Sequence, residues 1–226
     1  MRRPGVTAPP MSYHLEELAI ARSPDDPRRI MPPIPPGCRR IIDIGSGMGQ
    51  TLIASEPLAA LACAVEPDIE ALRLGRRLSG RVLPVCGGAE RLPVRTGWAE
   101  LAIARLSLPY TIIPEAAAEA YRVLEPGGHF WALLHPFAMT FQDLLRSVRR
   151  GRGRTLLYHL YVVLNGLSLH LARRQFRYPF NRARCESFQT VSGMKRVLRA
   201  AGFEDVSITR RPFLVATARK PARPAV

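Results

Sequence analysis

Short apolar runs that end in acids or glycines alternate along this chain with longer stretches of helical periodicity. That is the pattern of a parallel sheet covered by helices on both faces. Ile41-Ile42-Asp43-Ile44 reads as a buried first strand, and residues 51–60 as a helix that Pro57 ends or kinks. Residues 62–68 give a second strand with Glu66 at its carboxyl end. Residues 69–79 give a helix with Leu72, Leu74 and Leu78 inward and Arg73, Arg76 and Arg77 outward. Strands at 82–86 and 99–106 follow, then a helix at 114–124 opened by Pro114 and a strand at 129–135. A helix at 189–201, with Met194, Val197 and Leu198 on one face, leads into strands at 202–208 and 213–218. The fold class is α/β, a Rossmann-like doubly wound sheet of seven strands, mostly parallel.

The ends are different in kind. Residues 1–10 carry prolines and no periodicity and read as disordered. A short helix begins at Ser12, its expected N-cap, with Leu15, Leu18 and Ala19 on the apolar side; prolines crowd residues 31–37. The expected organisation is an N-terminal tail, helix and proline-rich lead over 1–37, one domain over 38–220 with an insertion at 138–187, and a tail over 221–226.

After the first strand comes Gly45-Ser46-Gly47-Met48-Gly49, where backbone must approach something closely. A strand opening through such a turn into a helix aims free N–H groups and the positive helix end at one point, which suits an anion. A dinucleotide fingerprint would need its third glycine at position 50, where this chain has Gln50. Glu66, at the end of the next strand, lies where a ribose binds in open parallel sheets, and a carboxylate there accepts from both ribose hydroxyls.

The pattern acid-x-G-x-G-x-G from Asp43 resembles the first motif of the class I S-adenosylmethionine-dependent methyltransferases. Tyr121-Arg122-Val123-Leu124-Glu125-Pro126-Gly127-Gly128 is similar to the signature of their small-molecule group, which includes quinone-biosynthesis enzymes (methyltransferase type 11). The A-G-F-x-x-V turn at 201–206 resembles the family's approach to an antiparallel last strand. The resemblance covers residues 38–137 and 187–220 and implies S-adenosyl-L-methionine as cofactor. It places Asp43, Gly45, Ser46, Gly47 and Gly49 against the methionine part, with Glu66 and Pro67 at the ribose. Gly88, Ala89 and Glu90 border the adenine, and Arg105 and Leu106 lie at the fourth strand end. Gly88 stands where the family has an Asp, so Ala89 backbone and Glu90 are left to hold the ring. Tyr110, His135 and His159 are the expected acceptor-pocket residues, with His135 as candidate general base. Leu108-Pro109-Tyr110 lacks the polar head of the turn with which nucleic-acid amine methyltransferases hold their target.

The net charge of +15 suggests nucleic acid or an anionic surface, although only Lys195 and Lys220 are lysine, an arginine bias that genome composition alone can produce. The insertion is more telling. Between Leu144 and Cys185 there are ten arginines and no acid, flanking the apolar run at 155–171, in which His159, Gly166 and His170 share one stripe. At 17 residues that run is short for a bilayer span and reads as a pocket-capping helix or one resting in an anionic membrane interface. The four cysteines have no metal-ligand spacing, and no metal is expected. The expected function is methyl transfer to an apolar small-molecule or lipid-like acceptor by a cytoplasmic, membrane-associating protein. The alternatives are an RNA methyltransferase and a non-catalytic S-adenosylmethionine-binding protein.

Overall fold

The computed structural model describes residues 10–56, 61–149, 153–210 and 213–222. The elements in chain order are α1 (Met11–Arg22), β1 (Arg40–Ile44), α2 (Gln50–Ala54), β2 (Leu61–Glu66), α3 (Ile69–Leu78), β3 (Val82–Cys86) and β4 (Ala99–Arg105). A single 3-10 turn at Leu108–Tyr110 leads to α4 (Ile113–Val123), β5 (Leu124–Leu133), α5 (Phe137–Arg149), α6 (Gly153–Ala172), α7 (Val191–Ala200), β6 (Glu204–Thr209) and β7 (Val215–Arg219).

The sheet order is β3-β2-β1-β4-β5-β7-β6, parallel from β3 through β5, with β7 antiparallel to both its neighbours. The chain winds outward from β1 in one direction and from β4 in the other. The crevice beyond the carboxyl ends of β1 and β4, which pair through Asp43 and Ile103, is therefore the topological switch point where such sheets bind ligands. Period-two alternation sends neighbours to opposite cores: Ile42 and Ile44 pack with Phe130, Leu198 and Phe203, whereas Ile41 packs with Leu52, Leu72, Ile103 and Trp131.

Several local expectations change. Leu78 is exposed, and the inner face of α3 is Ala71, Leu72 and Gly75, small enough for the helix to lie directly on the glycine turn. In α1 the inward residues are His14, Leu18 and Ala21, with Leu15 outside; Pro10, not Ser12, holds the N-cap position. The charge of Glu17 decides this orientation, because it pairs at 2.8 Å with the buried Arg105 guanidinium at the end of β4. Strand β5 starts at Leu124, before the Pro126-Gly127-Gly128 segment, which the Gly127 N–H to Lys220 carbonyl bond ties to the end of the neighbouring β7. Residues 57–60, Pro57 included, lie outside the described residues, as do 1–9 and 223–226.

The helix in the insertion is longer than its apolar run. At 20 residues with a mean hydropathy of 1.2, α6 has the length and composition to cross a bilayer. Tyr161, Val162 and Leu169 are buried against the body, and polar groups on the same side add specific ties. His159 bonds Ser147 of α5 at 2.7 Å, His170 bonds Thr190 at 2.7 Å, and the buried Asn165 amide donates to the Glu186 carbonyl while its oxygen accepts the Phe176 N–H. Gly166 sits on Phe188, whose ring fills the space a Cβ would need.

Candidate functional site

The glycine turn has left-handed backbone at Gly45, Gly47 and Gly49, with φ of +68°, +57° and +83°. Each glycine also makes room for something specific. A Cβ on Gly45 would lie 2.4 Å from Ser107 Cβ, and one on Gly47 would lie 2.8 Å from the His14 ring. Ser107 donates to the Ile44 carbonyl at 2.5 Å, so the tip of β4 is locked onto the turn. Leu106, just before it, has a φ of +60° and lies against the core below, a strained residue at the switch point.

The turn does not offer its N–H groups to an anion. Gly45 and Ser46 donate to the Val65 carbonyl at 2.8 and 3.1 Å, Met48 to the Gln50 side chain at 3.1 Å, and Gly49 to the Ser46 carbonyl at 2.9 Å. Gly47 donates to Glu66 Oε2 at 3.0 Å. With every donor of the turn used and α2 only five residues long, the expected anion cradle is absent. The turn instead fixes a carboxylate.

Two carboxylates therefore stand side by side. Glu66 has its other oxygen on the Asp68 N–H at 3.0 Å, yet burial still pushes its pKa up against the help of both bonds. Asp43 is buried on the same side of the sheet as Thr51 and has no hydrogen-bond partner for either oxygen, the Thr51 hydroxyl lying outside bonding geometry. Burial drives its pKa from the ordinary 3.8 to about 7; Arg105 opposes the rise and Glu66 adds to it. An acceptor-only group without a donor is costly in a folded interior, and its persistence here marks a place for a cationic or donating ligand.

A third unpartnered group faces the turn from above. His14 is buried against Gly47 with neither ring nitrogen bonded, and burial holds its pKa down. It was invisible as a site residue from sequence because it lies far upstream; the spacing His14, Leu18, Ala21 is the signal that turns it inward. Arg105, expected at the cofactor, is used otherwise: it pairs with Glu17 and donates to the Ile30 carbonyl at 3.0 Å, clamping α1 and the proline-rich lead over the crevice.

Along the next rim, Gly88 has open space, with only Glu90 Oε2 within reach of a Cβ, at 3.6 Å. Ala89 is buried, and Pro67 follows Glu66 at the outer edge. Glu90 is committed elsewhere, to the Ile112 N–H at 3.2 Å and Arg177 of the insertion at 3.3 Å, so it joins the loop to the insertion. On the opposite side, Tyr110 and His135 meet edge to face at 5.4 Å. Gln189 grips the His135 backbone through two bonds of 2.9 Å, and Phe137 packs on Phe188 beside it. Burial lowers the His135 pKa, with Asp143 pulling the other way. His159 is not part of this group, being held by Ser147 in the α5–α6 seam.

These residues fit S-adenosylmethionine. Its ammonium, sulfonium and ribose hydroxyls match the two carboxylates, Asp43 and Glu66.

Comparison with known proteins agrees. A methyltransferase domain family matches residues 42–132. The ubiquinone/menaquinone biosynthesis C-methyltransferase UbiE of Methylobacterium nodulans is 31% identical over 138 residues, 60% of this chain; the chain spans about half the length (50%) of that relative. Among solved structures, an S-adenosylmethionine-dependent methyltransferase of Thermotoga maritima superposes with a TM-score of 0.55 at 18% identity, covering 92% of this chain and 89% of its own. One of Methanosarcina mazei does so at 0.53 and 17%, covering 81% and 93%; likenesses this distant speak for the fold. With the Asp43 motif, the two strand-tip carboxylates and the sheet order all in place, the chain has the fold of the S-adenosylmethionine-dependent methyltransferases, and its residues 42–132 are similar to a methyltransferase domain family.

Proposed function

We propose that this protein transfers the methyl group of S-adenosylmethionine to an apolar small-molecule or lipid-like acceptor. The observation that carries the reading is the unpartnered, buried Asp43 carboxylate beside Glu66 at adjacent strand tips. The cofactor supplies a methyl group already activated on a sulfonium, so the protein has mainly to orient and to move a proton.

Asp43 and Glu66 hold the positive and hydroxyl-bearing parts, and the glycine turn allows close approach. His14 stands over Gly47 with two free ring nitrogens and is the residue placed to meet a carboxylate there. His135 is kept neutral near pH 7 by its burial and so can accept the acceptor's proton; Tyr110 packs on its ring while its outer edge stays exposed. Phe137, packed on the buried Phe188 beside His135, supports an apolar acceptor.

Calorimetry with S-adenosylhomocysteine on the intact chain and on Asp43→Ala and Glu66→Ala tests the cofactor half. Heat that is present in the parent and lost in both variants is the expected result; no heat in the parent ends the reading. Methylation of apolar phenols or quinols, set against His135→Gln, tests the acceptor half. Transfer to RNA in place of these would overturn it.

A further inference from the structure

The insertion presents a helix that is apolar on both faces. In α6 the buried Tyr161, Val162, Asn165, Gly166 and Leu169 face the protein, with His159 and His170 bonded at their margin, while Leu157, Leu160, Leu164, Leu167 and Leu171 face outward. Leu164 is 60% exposed and Leu171 76%. Only 28% of the most apolar window of this helix is buried. A soluble surface helix turns polar and charged side chains outward where α6 turns leucines. Helix α5, packed against α6, adds a second outward stripe of Phe141, Leu145 and Val148.

Charge is arranged around this apolar face. Exposed Arg149 and Arg154 lie where α5 runs into α6, and exposed Arg173 and Arg174 lie at the far end of α6. No acid occurs between Leu144 and Cys185. We infer that the outer face of α5 and α6 docks on an anionic membrane surface, α6 lying in the interface plane with its leucines among the acyl chains and the arginines at both ends on lipid phosphates.

The alternatives fit less well. Spanning would strip Asn165, His159 and His170 of the partners that bind the helix to the body. A second copy laid on the leucine stripe would bring arginines against arginines in either orientation, with no carboxylate to separate them. RNA would use the arginines and leave the leucines in water. The proposal stands apart from methyl transfer, since it concerns binding alone.

The test is flotation of the full chain with phosphatidylcholine vesicles and with vesicles also containing phosphatidylglycerol, without cofactor. Cofloating with the anionic vesicles, weakened by salt, is expected. Arg173→Gln with Arg174→Gln should weaken partitioning about 25-fold, roughly fivefold for each arginine at such a surface. Leu160→Asp with Leu164→Asp should abolish it while leaving the thermal midpoint in place, both positions being exposed. Equal recovery of parent and leucine variant, or none with either vesicle, overturns the proposal. So does a dimer in size-exclusion chromatography that the leucine variant converts to monomer, because the occupant is then a second copy.

Discussion

Asp43 sets stability against function in a way that can be measured. Its carboxyl has a pKa of about 7 in the folded chain and 3.8 ordinarily. Below about pH 4 it is protonated in both states and costs nothing. Between about pH 4 and pH 7 the unfolded chain releases the proton while the folded chain keeps it, so stability falls as pH rises. Above that window the loss is complete. A shift of about three units corresponds to roughly 4 kcal/mol at 1.36 kcal/mol per unit, an upper figure because the interior relaxes around a charge.

Asp43→Asn removes the titration and keeps the shape. Urea unfolding of parent and variant from about pH 5 to about pH 8 should therefore give curves that diverge upward for the variant by about 2–4 kcal/mol. Other buried acids, such as Glu66 and Glu186, titrate in both proteins and cancel in the difference. The same variant should lose S-adenosylhomocysteine binding, gaining stability where it loses function. Parent binding near pH 6 should also release close to one proton, read as heat that depends on the buffer's ionisation enthalpy. Stability curves that run parallel through the window would refute the argument, because the carboxyl would then not be paying for its burial.

Gly75→Ala ought to raise helix propensity in α3 but would put a Cβ 1.9 Å from the Met48 carbonyl oxygen; a net loss of about 2 kcal/mol in urea unfolding, with weaker cofactor binding by calorimetry, is expected. Arg105→Met leaves Glu17 without its partner and Asp43 without its nearest positive charge, so thermal and urea unfolding should show a loss of about 3 kcal/mol and proteolysis should cut earlier in the α1 segment. Gly166→Val drives a side chain into the Phe188 ring, 2.3 Å from the Cβ position, and should loosen α6 by about 2 kcal/mol, seen as faster amide exchange confined to α5 and α6.

Sequence reasoning went furthest where a residue's role is local. The strands at Ile41, Val82 and Ala99 and the glycine turn follow from runs and spacings that the surrounding structure does not need to decide, and the doubly wound, mostly parallel class follows from their alternation with helices. It went wrong where a partner distant in the chain decides. Glu17 turns α1 around because Arg105 lies 88 residues away, and the Gly47 N–H is spent on Glu66, 19 residues on. The turn is thus not an anion site awaiting a phosphate: its glycines serve close packing with Ser107 and His14, and its one distinctive donor holds an acid in place.

The insertion carries the same lesson in its strongest form. Periodicity alone assigns the apolar stripe of a surface helix to the core, which would put the leucines of α6 inside. The folded chain puts five of them outside because Tyr161, Val162 and Leu169 fill the inward face, Asn165 and His159 have partners in the protein, and Phe188 needs the hollow at Gly166. Burying five leucines to the extent they are now exposed would be worth roughly 1 kcal/mol each, and the fold gives that up. A stripe left in water at such a cost implies a second environment in which it is not in water, and the arginines at its two ends say what charge that environment carries.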